Sequence, residues 1–152
     1  MSKIDTSMDA YNVTEQVGHL LRKAYQRHLT IFQENAFDPN LTSVQFVTLC
    51  ALRDNGPSSQ SDLVKATAID QGSIRGIIER LAARKLISIG KDPHDGRKVI
   101  MSLTRAAETL LDQMIPRARL ISELTMADLN PAERVALLYL LRRVIDFYEN
   151  DG

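Results

Sequence analysis

The sequence predicts a mostly α-helical fold with one small β-hairpin: a winged helix-turn-helix joined to a helical dimerisation domain. Three observations carry that reading. A helix with a clean apolar face is followed at once by two short β-favouring runs around a basic turn, over residues 70–105. Two shorter helices with unmistakable start signals precede it. The long helices at either end hold more apolar face than one small core can bury.

Tyr11 to about Gln33 reads as the first helix. Val13, Val17, Leu20, Leu21, Ala24, Leu29, Ile31 and Phe32 are its apolar positions, and the stripe is broad enough to face more than one partner. The polar residues before it, 1 to about 10, are expected to fray. Asp38-Pro39 breaks the chain direction. The second helix begins at Thr42, which forms a T-x-x-Q capping box with Gln45. It runs through Phe46, Leu49, Cys50 and Leu52 to Asn55-Gly56-Pro57, a strong stop. In SQSDLVKATA, Ser59 caps a short third helix with Asp62 at its third position and Leu63 and Val64 inward. Thr67 to Ile69 is the turn into the fourth helix, Asp70 to Lys85. That helix is capped by Asp70, lined by Ile74, Ile77, Ile78 and Leu81, and ended by Arg84 and Lys85 at the negative end of its dipole. Helix, short turn, helix at these lengths is a helix-turn-helix pattern.

Leu86 to Gly90 and Val99 to Leu103 read as two strands, with DPHDGRK between them carrying Arg97 and Lys98 to the tip. Thr104 caps a long fifth helix, in which Pro116 is expected to kink one turn or open it. Asn130-Pro131-Ala-Glu133 starts the last helix with cap, first-turn proline and third-position acid. Val135, Leu138, Leu141 and Ile145 form one stripe on it; Leu137, Leu140, Val144, Phe147 and Tyr148 form a second. Two stripes on a terminal helix predict a homodimer interface.

At 152 residues the chain is expected to form one domain, 1–152. Within it, residues 42–103 form the winged helix-turn-helix part, and 11–36 with 104–149 the dimerisation part. Charge is distributed unevenly. From Gln71 to Arg105 there are eight Lys and Arg against three acids, an excess of five. The whole chain balances at nineteen against nineteen, which leaves the remainder acidic by five. Positive charge gathered on one module of a neutral protein fits a phosphate-binding footprint and excludes a uniformly basic binder. Helix starts at Ser59 and Asp70 suit phosphate contacts, because the first N–H groups of a helix attract anions.

Other classes find little support. The one cysteine, Cys50, sits in the apolar run VTLCAL and reads as a structural thiol; a redox switch is the alternative, which needs exposure and a cationic neighbour. His19, His28 and His94 are too scattered for a metal motif, and no Gly-rich phosphate loop or nucleophile motif occurs, so neither enzyme activity nor a cofactor is expected. No apolar run reaches membrane-spanning length, and MSKIDTSMDA lacks a hydrophobic signal core; the expected location is the cytoplasm.

Three stretches resemble the MarR family of winged helix-turn-helix regulators: LTSVQFVTLCAL, GSIRGIIERLAARKLI, and the wing DPHDGRKVIMSLT, which looks like the family's D-x-R-x-x-x-V-x-L-T pattern. The likeness covers roughly residues 11–149. It implies a homodimer whose first, fifth and sixth helices form the dimerisation domain, bound to a palindromic stretch of double-stranded DNA as a repressor. It also implies roles for particular residues. Arg97 enters the minor groove, oriented by Asp95. Gln71, Ser73, Arg75 and Gly76 open the recognition helix, and Ser59, Gln60 and Ser61 meet phosphates. Arg80 and Lys98 complete the DNA-facing set. Gly76 departs from the pattern, since many members carry a basic or larger polar residue there, and base readout at that position is either lost or passed to Arg75. The stretch VGHLLRKAYQRH is similar to the first helix of members that control aromatic-compound catabolism. That implies a small aromatic acid or phenolic effector, with Arg22 pairing its carboxylate, His19 bonding a ring substituent, and Tyr25 and Phe46 lining an apolar slot. A protein–protein module that has lost DNA binding is the competing reading; the charged wing tip speaks against it.

Overall fold

The computed structural model of the chain describes residues 10–149, with side chains described as far as Asp146. In order, the elements are α1 (Val17–Asn35), α2 (Ser43–Asn55), α3 (Gln60–Thr67), α4 (Gln71–Ala83), β1 (Ile87–Lys91), β2 (Val99–Leu103), α5 (Arg105–Thr125) and α6 (Pro131–Glu149). The expected fold class is what the structure has. The expected fraying of residues 1–10 falls almost wholly outside the described residues, as do the side chains of Phe147 and Tyr148.

Short-range signals set most boundaries. Thr42 Oγ1 accepts from the Gln45 amide at 3.2 Å while Gln45 Oε1 accepts from the Thr42 amide at 3.1 Å. Ser59 and Asp62 exchange the same pair of bonds at 3.1 and 3.0 Å, and Asn130 and Glu133 do so at 2.9 Å each. Each reciprocal pair satisfies two backbone donors the helix leaves open. Gly56 closes α2 at φ 75, a left-handed position that costs any other residue strain.

Three boundaries differ from expectation. The first helix starts at Val17, not Tyr11, because Asn12 Oδ1 accepts from the Thr14 amide at 3.0 Å and nucleates a separate 3₁₀ turn over Val13–Glu15. The fourth helix ends at Ala83, not Lys85. Lys85 turns left-handed at φ 58, with its amide on the Ala82 carbonyl and the Leu86 amide on that of Leu81, both about 3 Å. This six-to-one closure ends a helix and costs a non-glycine residue strain. Leu86 therefore belongs to the closure, and β1 starts one residue later than read. Pro116 interrupts nothing: α5 stays helical through it, and the Asp112 carbonyl left without an amide donor belongs to an exposed residue.

Ile74, Ile77, Ile78 and Leu81 of α4 are all buried, packed with Leu49 and Leu52 of α2, Leu63 of α3, Met101 of β2, and Leu111 and Met114 of α5. The hairpin is antiparallel, with Ile87 opposite Leu103 and Lys91 opposite Val99. A non-local bridge holds it to the helices: Ser58 and Met101 exchange backbone hydrogen bonds at 3.0 and 2.8 Å, so β2 also pairs with the turn between α2 and α3. A second tie joins Arg84, at the end of α4, to Asp38 in the α1–α2 loop. Burial pushes the Asp38 carboxyl up, but hydrogen bonds from Arg84 and the Asn40 amide outweigh it, and the net value lies below the usual carboxylate range. A depressed folded pKa stabilises above the unfolded value and is lost as pH falls through the folded one. Asp38→Asn should therefore cost about 1–2 kcal/mol at pH 7 and progressively less below about pH 4. Urea unfolding of both chains across that range checks this; a pH-independent difference refutes the pair.

Among the described residues, α6 contributes no side chain to the core. Its described apolar side chains stay largely in solvent, with Val144 58% and Leu140 56% exposed, and the first turns of α1 are equally bare. Among the described residues, no helix is long and apolar enough to cross a membrane.

Candidate nucleic-acid interface

The start of α4 is presented outward by its cap. Asp70 Oδ1 accepts from the Ser73 amide at 2.8 Å, and Ser73 Oγ donates to Asp70 Oδ2 at 3.1 Å. Because Ile74, Ile77 and Ile78 fix the inner face, Gln71, Ser73, Arg75, Glu79 and Arg80 are all turned to solvent. Arg75 Nε lies 3.5 Å from Glu79 Oε1, a one-turn ion pair that steadies the arginine without neutralising the helix. A methyl group at Gly76 would stand 3.7 Å from Arg80 Nη1, so the Arg80 guanidinium folds back over the bare position. That is ordinary contact. Gly76→Ala should thus stabilise the fold by about 0.5–1 kcal/mol through helix propensity, raising the melting midpoint by roughly 2–4 °C. A lowered midpoint would mean the helix needs the glycine for close approach.

The wing is ordered by its aspartates. Asp92 Oδ1 accepts from the His94 amide at 2.8 Å and Asp95 Oδ1 from the Arg97 amide at 3.1 Å, while the Asp92 and Lys98 amides reach the Lys98 and Asp95 carbonyls, each at 3.0 Å. These turns hold the tip without any apolar anchor. Arg97 then projects with 94% of its side chain exposed, and its Nε sits 3.5 Å from Asp95 Oδ1. Lys98 and Lys91 are exposed beside it. Ser59, Gln60 and Ser61 lie at the start of α3; the Ser59 hydroxyl is engaged in its capping box, which leaves Gln60 and Ser61 exposed there. An electropositive helix start, a second helix start and a charged hairpin form a surface suited to a duplex backbone and groove.

Behind the recognition helix lies a cleft of about 460 Å³. Tyr25 of α1 and Val44 of α2 form one wall; Thr67, Ala68 and Ile69 of the α3–α4 turn form another; Asp70 and Ser73 close it. Ala68 is left-handed at φ 57, a strained turn without glycine. Of the four residues expected at an effector site, only Tyr25 lines this cleft. Phe46 packs against Phe32 at 5.8 Å between centroids, within the core margin. Arg22 is exposed one turn before Tyr25, and His19 is half-buried a turn earlier, so this single chain does not bring them to the cleft wall. The turn residues gave no signal in the sequence beyond their position. A concavity of similar size, about 430 Å³ beside Pro57, has no aromatic wall and no link to α4.

Cys50 is half-buried, and burial pushes its thiol up despite the opposing charge of Arg53. That lowers the thiolate fraction on which a redox switch depends.

A winged helix with a basic recognition face and a bare pair of terminal helices defines a DNA-binding regulator, and known proteins agree. The MarR family model matches residues 40–98. The HTH-type transcriptional repressor NicR of Pseudomonas putida is 68% identical over 93% of this chain and 90% of its own length. A solved structure of Bordetella bronchiseptica BpsR, described for regulation of its DNA binding by 6-hydroxynicotinic acid, is 57% identical, covers 90% of this chain and 97% of its own, and superposes with a TM-score of 0.84. Streptomyces coelicolor PcaV with its natural ligand is 26% identical over 90% and 96%, with a TM-score of 0.81. The chain belongs to the MarR family and is a DNA-binding transcriptional regulator.

Proposed function

We propose that the chain is a cytoplasmic homodimeric repressor that releases a palindromic operator when a small hydroxylated aromatic acid binds. The likeness to NicR and BpsR supports the repressor role and the effector class, with 6-hydroxynicotinic acid the first compound to test. In this reading residues 42–103 bind DNA, with 11–36 and 104–149 forming the dimer. No enzymatic step is assigned. Arg97, Lys98 and Asp95 work the minor groove, Gln71, Ser73, Arg75, Gly76 and Arg80 the major groove, and Ser59, Gln60 and Ser61 the phosphates.

One observation carries the effector mechanism: Asp70, which caps the recognition helix, and Ser73, whose amide and hydroxyl donate to that cap, both close the cleft. A ligand wedged between Tyr25 and the strained Ala68 turn displaces the cap, and with it the helix start. Arg22 and His19 lie outside the cleft wall, so their expected contacts need the ligand to extend along α1 beyond Tyr25, while Phe46 keeps a core role against Phe32. A ligand shifts the equilibrium only by its differential affinity for the two states, so a few kcal/mol of preference for the free form suffices to release DNA.

The test is fluorescence anisotropy with DNA from upstream of the protein's own gene, at several salt concentrations. Selective binding should weaken by about 0.9 in log K per log unit of salt for each phosphate neutralised, and 6-hydroxynicotinate should weaken it further. Weak, unselective binding to operator fragments genome-wide would favour a protein-binding module. Equal effector affinity for free and DNA-bound protein would reject the release mechanism.

A further inference from the structure

Two arginines flank the outward side of α4, and their surroundings differ. At about 100° per residue, Arg75 and Arg80 stand about 140° apart around the helix axis, with Gly76 between them. Arg75 leans toward the hairpin. It lines a notch of about 180 Å³ together with Gln60 of α3, Ile89 of β1 and Val99 of β2. Its Nε is 3.5 Å from Glu79 Oε1, which lines the same notch. The acid and the notch hold this guanidinium at the edge of the helix, beside the start of α3, where helix amides suit phosphates.

Arg80 leans the other way and folds back. A Cβ built at Gly76 would stand 3.7 Å from Arg80 Nη1 and 4.0 Å from its Cζ, so the guanidinium covers the bare backbone one turn before its own Cα. Among the described residues, no carboxylate comes within ion-pair distance of Arg80. Gly72 lies one turn before Gly76 on the same line, so the outermost line of the first two turns carries no side chain. A helix bare along that line can settle its backbone closer to base edges. The guanidinium lying over it is then the long donor those edges meet.

We propose that Arg80, rather than Arg75, is the specificity-determining residue of the recognition helix, and that it reads a guanine. From its place above Gly76 the planar fork donates to O6 and N7 of the base in the major groove, a pairing that its fixed geometry matches. Arg75, steadied by Glu79, goes to the phosphates at the edge of the groove. The assignment rests on the operator-binding reading above and divides the work of two residues within it.

Selection of preferred sites by the full chain from a randomised duplex library tests this. The wild-type motif should hold one guanine in each half-site that Arg80→Ala no longer selects, with the other positions kept. Retention of those positions shows that the variant is folded and docked. Arg75→Ala should keep the whole motif and bind every member more weakly, with a salt slope shallower by about 1. A second measurement leaves the base pair intact: 7-deazaguanine in place of that guanine removes only the N7 acceptor. It should weaken the wild-type complex about fivefold or more and the Arg80→Ala complex by less than about twofold. Arg80→Ala that weakens all sequences alike overturns the proposal, as does a guanine preference lost with Arg75→Ala instead; both leave operator binding standing. A wild-type chain that selects no motif removes sequence-selective binding and this assignment with it.

Discussion

Val144→Asp should turn the dimer into a monomer at micromolar concentration, with the winged helix still folded. Val144 lies on a helix whose described side chains all stay out of the core of their own chain, and it is 58% exposed there. In the proposed homodimer it faces the exposed apolar residues Leu140, Leu137 and Ile145 and their copies. A carboxylate placed in such a surface must be desolvated without a partner, which costs several kcal/mol and is twice repeated across a twofold interface. The loss reaches DNA binding by a second route. A dimer holds two half-sites with one translational cost, so a monomer should bind the full operator roughly 10²–10⁴-fold more weakly. Sedimentation velocity with circular dichroism measures both parts. A chain that stays dimeric places the interface elsewhere, and one that loses its helicity means α6 is needed for folding rather than assembly.

Arg97→Ala should weaken operator binding by about 1–3 kcal/mol, or roughly 5–150-fold, with stability unchanged. The side chain is 94% exposed and its one ion pair among the described residues is with Asp95, so its removal leaves no cavity and no buried charge. The slope of log K against log salt should become shallower by about 1, since one cation no longer displaces counterions. Asp95→Ala should cost less, yet the two losses should not add: Asp95 acts by accepting the Arg97 amide and aiming its guanidinium, which matters only while Arg97 is present. Additive losses would show that Asp95 does something else, and an unchanged affinity for Arg97→Ala would mean that the wing does not engage DNA.

What the sequence made legible was local. The caps at Thr42, Ser59, Asp70, Thr104 and Asn130 each involve a side chain and an amide three residues away, and all five were read correctly. The buried face of α4 followed from its period, and the exposed excess on α6 from its two stripes. The start of α1 was misplaced because Asn12 competes for the backbone over two residues, a contest that apolar spacing does not register. The remaining gaps are long-range. Arg84 with Asp38, Ser58 with Met101 and His28 with Thr125 join residues far apart in the chain, and nothing in either partner's neighbourhood announces the other. The cleft behind α4 suffered most. Its walls come from a tyrosine on one helix and a turn that reads only as a connector, so the reading along α1 found Tyr25 and missed everything facing it.

The bridge from Ser58 to Met101 has a mechanical consequence. A hairpin anchored only at its base would flap, and each wing would search the groove on its own timescale. Stitched to the α2–α3 turn, its base is tied to the helices, so in the proposed mechanism a tilt set behind α4 carries the hairpin and Arg97 with it. On that mechanism release of the operator should be concerted, with helix and hairpin lifting together rather than leaving a complex held by the wing alone. Amide hydrogen exchange at Met101 would accordingly keep pace with exchange in α4, while the tip at Gly96 exchanges freely.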